Sequence, residues 1–362
     1  MKLIKLFPLI AFLVVTTGQA QVKKNHIAIP DINGYKTLQC DFHIHTVFSD
    51  GLVWPTVRVG EAYLEGLDAI AITDHLEYRP HSEDIKASHN RSYEIAKPAA
   101  EKNSVILIKG SEITRAMPPG HFNAIFITDS ELLAKDDWRE SLAEAKRQKA
   151  FIFWNHPGWK AQQPDTTLWW DEHTEVYYNG MMNGIEVVNG PEYYREAFQW
   201  ALDKKLTIIA NSDVHTPIQN QVNFAAGGHR TMTLVFAKER TAEDIKEALI
   251  NRRTAAFYDD ILIGEEQYLR AIFESSIEIT DVKQEGNQFI VSISNNSGLT
   301  FILKKTTHDK NIIYFDEFVI NPNSKQSITI GFTGNNDGKL NFEITNLLVR
   351  PEKGLECSYD LK

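Results

Sequence analysis

Between residues 37 and 258, short apolar runs alternate with amphipathic stretches. The runs at 38–43, 69–73, 105–108, 122–127, 151–154, 184–188, 207–210 and 231–236 predict strands. Helical spacing appears between most of them, at 57–65, 84–102, 137–149, 192–204 and 242–251. Strand and helix in alternation predict a mostly parallel sheet with crossover helices, either a barrel or an open doubly wound sheet. The strand runs are nearly continuous in apolar residues, as expected where both faces are covered. Inserts at 80–90 and 162–175 follow strand ends, where they either shape a pocket or decorate the surface. After about residue 270 the texture changes to short strand patterns at 276–282, 288–294, 300–305, 312–318, 326–332 and 339–347. Turn chemistry such as Asn295-Asn296-Ser297-Gly298 separates them, and no helical pattern is evident. The chain is therefore read as an N-terminal segment at 21–36, an α/β domain at 37–268 and a small all-β, sandwich-like domain at 269–362.

Residues 1–20 read as a signal peptide: Lys2 and Lys5, an apolar run from Leu6 to Val15, then Gly18-Gln19-Ala20 ahead of a cleavage point before Gln21. That run is shorter than the ~20 residues a bilayer span needs, and Gln21 rather than Cys follows, so no stable membrane anchor is expected. The mature chain is expected to be exported, periplasmic or extracellular, with an uncleaved anchor as the alternative. At 43% hydrophobic and 24% charged, the 362 residues exclude a disordered, collagenous or multi-span chain. A net charge of -10 argues against binding a nucleic-acid polymer. Cys40 and Cys357 either pair or stay free.

The strand ends carry the chemistry. In Asp41-Phe42-His43-Ile44-His45, residues two apart share a strand face, so His43 and His45 reach one metal ion together. Asp50, in Ser49-Asp50-Gly51, follows where a turn returns its carboxylate to the same ion. A His-x-His alone is equally a pair satisfied by carbonyls. The placement recurs, however, in Thr73-Asp74-His75, in Gly110-Ser111-Glu112, in Asn155-His156-Pro157 and in Asn211-Ser212-Asp213-Val214-His215, with His121 opening a further strand. Catalytic groups of parallel α/β folds collect at the strands' C-terminal edge. His43, His45, His75, His121, His156 and His215 with Asp50, Glu112 and Asp213 suit two or three divalent ions, with Mn, Zn or Fe matching imidazole and carboxylate without thiolate. Three carboxylates against two or three such ions leave a cationic pocket, which favours a small anion such as phosphate.

Together these motifs resemble the PHP (polymerase and histidinol phosphatase) family of metal-dependent phosphoesterases, over about residues 37–260 and in family order. The resemblance implies a distorted (β/α)7 barrel, and the nine residues above fall at the family's ligand positions. Some members place a His at the third ligand position, where this chain has Asp50. The exported layout with a C-terminal β region is similar to secreted PHP phosphodiesterases, including the Sb-PDE type.

The expected activity is hydrolysis of a small phosphodiester by a metal-bridging hydroxide. The alternatives are a phosphomonoesterase acting on sugar or nucleotide phosphates, and a non-catalytic metal- or ligand-binding module. Asp50, Asp213 and His215 are the candidate proton carriers. Arg115 and Arg230 are candidate phosphate clamps, with surface ion pairing as the other reading. His81, His229 and Trp159 complete the expected substrate-binding set, and Asp74 is expected to orient a ligand imidazole. His26, His89, His173 and His308 read as surface residues.

Overall fold

The computed structural model describes residues 24–306, 310–333 and 339–360, so the expected signal peptide and His308 lie outside the described residues. The first half contains β1 (Lys36–Ile44), α1 (Pro55–Glu65), β2 (Ala69–Ile72), α2 (Arg91–Asn103), β3 (Ile106–Ile113), β4 (Phe122–Ile125), α3 (Trp138–Arg147) and β5 (Phe151–Trp154). It continues with α4 (Asp171–Tyr178), β6 (Gly184–Asn189), β7 (Glu192–Tyr193), α5 (Arg195–Lys204), β8 (Thr207–Asn211), β9 (Met232–Ala237), α6 (Ala242–Ile250), β10 (Thr254–Tyr258), β11 (Ile261–Gly264) and α7 (Glu266–Ser276). Local signals account for several boundaries. Pro55 opens α1 and Gly66 closes it in left-handed backbone, while Asp137 and Thr241 cap α3 and α6 by accepting backbone N–H groups.

β1, β2 and β3 pair in parallel; β4 runs antiparallel between β3 and β5; β5, β6 and β8 are again parallel. Past β8, Asp213 N donates to His43 O at 3.0 Å and His45 N to Val214 O at 3.1 Å, which turns the run of strands back onto β1. The reversed direction of β4 explains why His121 stands before a strand while the other candidates lie in the last residues of one or after it: both positions lie at the same edge.

Three helical expectations change. α2 begins at Arg91 rather than 84, because residues 81–85 close a turn on the His81 carbonyl and the Arg79 guanidinium crosses to Ala87 O and Phe48 O. α4 lies inside the 162–175 insert. α7 runs through residue 268 and buries Leu269, Ile272 and Phe273 at helical spacing.

The C-terminal strands are β12 (Ile277–Glu285), β13 (Gln288–Asn295), β14 (Phe301–Lys305), β15 (Ile312–Ile313), β16 (Glu317–Ile320), β17 (Lys325–Phe332), β18 (Lys339–Arg350) and β19 (Lys353–Asp360). β12, β13, β17 and β15 form one sheet. β16, β14, β18 and β19 join the first sheet, because β18 pairs in parallel with β11, Leu347 opposite Leu262 and Leu348 opposite Ile263. One apolar cluster runs from Ile70 and Phe236 through Leu269 and Phe273 to Phe301, Phe342 and Ile344, so both parts share a core. Cys40 on β1 and Cys357 on β19 are free, buried thiols. His173 is fully buried, its ring 3.6 Å from that of Trp154 and its Nε2 2.7 Å from Pro119 O, so the surface reading is corrected.

Candidate metal centre

The strand edge brings all nine expected ligands into one cluster. Glu112 lies at its middle and is fully buried. Its Oε2 is 2.9 Å from His75 Nδ1, 3.2 Å from His45 Nε2 and 3.3 Å from His43 Nε2; its Oε1 is 2.9 Å from His121 Nδ1 and 3.6 Å from His156 Nε2. Asp213 Oδ1 stands 3.0 Å from His45 Nε2 and 3.2 Å from His43 Nε2. Asp50 Oδ1 stands 3.2 Å from His215 Nε2 and 3.4 Å from His75 Nε2.

Backbone geometry delivers these groups. A Cβ on Gly51 would come within 2.6 Å of Thr46 N, so the tight turn that returns Asp50 requires glycine there. His156 and Asp213 both occupy left-handed backbone, at φ 28° and 50°. Each is pinned, His156 N donating to Glu186 Oε2 at 2.7 Å and Asp213 N to His43 O. Such conformations cost on the order of 1–3 kcal/mol and cluster at functional sites.

Three converging atoms, His45 Nε2, Asp50 Oδ1 and Asp213 Oδ1, are buried and, apart from the close approaches within the cluster itself, have no hydrogen-bond partner among the described residues. Unsatisfied lone pairs aimed at shared points, with imidazole and carboxylate as the donor set, fit divalent ions. Three overlapping sets have ligand atoms within 4.8 Å of one another: His43, His45 and Glu112; His75, Glu112 and His121; His45, Asp50, His75 and His215. The electrostatics agree. Burial opposes ionisation of Glu112, yet His75, His43 and His121 hold its carboxyl well below the usual carboxylate range. Burial likewise disfavours charge on His75, but Glu112 and Asp50 lift that imidazole to about 10. A divalent ion competes with protons for these same lone pairs.

Several supporting residues were missed by sequence reasoning. Glu186, on β6 and fully buried, accepts from His43 Nδ1 (2.9 Å), His156 N, Asn189 Nδ2 (2.8 Å) and Asn211 Nδ2 (2.8 Å). Asn155 Nδ2 donates to Glu112 Oε1 at 2.9 Å, Thr114 Oγ1 lies 2.6 Å from His75 Nδ1 and Gln162 Nε2 lies 3.1 Å from His121 Nε2. Replacing the carboxylate in Glu186→Gln is expected to weaken divalent-ion affinity by about 10–100-fold, read by titration against a chromogenic chelator.

Most of the expected substrate-binding set is placed differently. Arg230 is buried and bound by Glu65 (2.6 and 2.8 Å) and Asp41 (2.8 Å), so its guanidinium is not available to clamp phosphate. Arg115 pairs with Glu77 at 2.8 Å and donates to Lys135 O; its carbonyl, through Gln162, is what reaches the site. His229 has both ring nitrogens engaged, with Arg230 O and Asp260 N, and His81 lies on the 79–85 turn outside the cluster. Trp159 flanks the site, its ring 5.2 Å from His156 and 5.8 Å from His121, and is 40% exposed. Asp74 accepts from Thr46 N and from the Thr46 and Ser49 hydroxyls, so it orders the loop after β1 instead of an imidazole directly.

A family model for an Ig-like domain matches residues 276–360. An uncharacterized protein of Methanocaldococcus jannaschii is 39% identical over 83 residues, 22% of this chain; the chain spans about a third (36%) of the length of that curated relative. The crystal structure of a two-domain protein from Bacteroides vulgatus ATCC 8482, containing a predicted PHP-like metal-dependent phosphoesterase, superimposes with a TM-score of 0.92 at 54% identity. That match covers 94% of this chain and 99% of the other. On that identity over nearly the whole of both chains, the protein belongs to the PHP-like metal-dependent phosphoesterase family.

Proposed function

We propose that this chain hydrolyses phosphate esters with two or three divalent ions held by the nine clustered residues, and that it prefers small phosphodiesters. The observation that carries the reading is the convergence of His45 Nε2, Asp50 Oδ1 and Asp213 Oδ1, buried and with no hydrogen bond among the described residues, on imidazole and carboxylate neighbours. Ions of the Mn, Zn or Fe type would supply Lewis acidity toward a phosphoryl oxygen and acidify a water. The chain's own part is positioning and proton transfer. Asp50 and Asp213 are the carboxylates placed to take a proton. His215, its side chain 32% exposed and within 3.2 Å of Asp50 Oδ1, would return one to the leaving oxygen in a two-ion form that leaves its imidazole free of metal. The preference for a diester rests on space: a cavity of about 800 Å³ opens beside Asp213, and Trp159 stands by His121 and His156, leaving room for two organic groups. The signal pattern of residues 1–20 supports action outside the cytoplasm.

Chelator-stripped protein reloaded with Mn, Zn or Fe should cleave bis-p-nitrophenyl phosphate more efficiently than p-nitrophenyl phosphate. Dominant monoester turnover would overturn the diester preference. Activity that persists in His156→Ala and Asp213→Asn would overturn the hydrolytic site itself.

A further inference from the structure

The cavity beside Asp213 has a charge pattern distinct from that of the metal cluster. Its volume, about 800 Å³, lies in the range of small-molecule sites. Arg230, the one Lys or Arg along its lining, is neutralised by Glu65 and Asp41 and turned away from any ligand. His229 donates from Nδ1 to Arg230 O at 2.9 Å and accepts at Nε2 from Asp260 N at 3.3 Å, which leaves the ring neutral. Asp259 and Asp260 lie on the same wall, both exposed, and neither has an ion-pair partner among the described residues. The wall is fixed from the C-terminal domain, where Asn346 on β18 donates to Asp260 O and to Thr300 O, each at 2.8 Å. Asn189, whose Nδ2 is 3.2 Å from Asp213 Oδ2, links this cavity to the ligand cluster. Amide groups of Gln221 and Asn223 add further donors and acceptors.

Resting on the phosphoesterase reading above, we infer that this cavity receives the organic group of the ester and selects uncharged, hydroxyl-bearing groups over groups that carry a further anion. Carboxylates and side-chain amides satisfy hydroxyls from both sides. A second anion on the substrate meets two unneutralised carboxylates and no free cation. The C-terminal domain thereby contributes to specificity, through the turn that Asn346 holds.

Calorimetry on the zinc-loaded full chain tests this with three phosphinates, whose phosphorus carries two P–C bonds and no ester oxygen to cleave. They are ethyl(methyl)phosphinate, (3,4-dihydroxybutyl)methylphosphinate, and the counterpart whose terminal CH2OH is replaced by a carboxylate. The dihydroxybutyl compound should bind at least about tenfold more tightly than the carboxylate compound. In Asp259→Asn/Asp260→Asn the gap should shrink to within about threefold; asparagine tolerates the left-handed backbone found at both positions (φ 45° and 58°), so the turn is retained. Equal affinities in the parent protein, or a gap that survives the double substitution, would overturn the inference while leaving the phosphoesterase reading intact. Binding of none of the three would overturn that reading, and this inference with it.

Discussion

Glu112→Gln is expected to lower kcat by about 10³-fold or more and to strip at least one divalent ion from the purified protein. Its carboxylate joins the set of His43 and His45 to the set of His75 and His121, and it is the only carboxylate found in two of the three sets among the described residues. Both oxygens are used, and the side chain has no exposure to water that could substitute for them. Glutamine keeps the shape but carries one acceptor instead of two and adds an amide donor. It also removes the negative charge that the imidazoles of His75, His43 and His121 stabilise. Loss of several kcal/mol of metal-dependent charge stabilisation corresponds to about three orders of magnitude in rate, at ~1.4 kcal/mol per tenfold. Metal content by mass spectrometry and turnover of bis-p-nitrophenyl phosphate should fall together. Glu112→Asp, which keeps the charge on a shorter stem, should fall between the two, and a thermal melt checks that each variant is folded. Near-normal turnover with full metal content in Glu112→Gln would remove Glu112 from the centre of the site.

The clustering of the nine candidate ligands was legible because each sits in a short motif at a strand end, where chain periodicity fixes which way a side chain faces. What was not legible depends on partners far away in sequence. Glu186 stands alone in an apolar strand between Ile185 and Val187; the available signal was that a carboxylate buried in such a strand must be paired. His173 looked like surface because it falls in an insert whose helix was not expected, yet it stacks on Trp154. Arg230 read as a phosphate clamp or a surface ion pair, while its true partners Glu65 and Asp41 are buried and lie 165 and 189 residues away. The pairing of β18 with β11 is equally non-local: each strand reads well alone, and nothing in either marks the other as its neighbour.

Arg230 therefore allows a sharp separation between a structural and a substrate role. Arg230→Met removes a guanidinium that satisfies two buried carboxylates and leaves Glu65 and Asp41 without compensation. Breaking a buried ion pair from one side costs about 3–5 kcal/mol. For a chain of this size, at ~2.1 cal/mol/K of unfolding entropy per residue, that is a fall in Tm of about 4–7 °C. Asp41 also accepts from Ser212 N at 3.2 Å and Ser212 Oγ at 2.6 Å, so some loosening beside Asp213 is expected. Asp213 itself is held by its own N–H to His43 O, which the substitution does not touch. Metal content should stay at the parent level, and KM for bis-p-nitrophenyl phosphate should change by less than about threefold below the melting transition. Replacing all three groups, as Arg230→Met with Glu65→Gln and Asp41→Asn, should recover part of the lost stability, because the uncompensated charges go with the arginine. A clamp on phosphate would give the opposite pattern: an unchanged Tm and a large rise in KM. Observation of that pattern would return Arg230 to the substrate site.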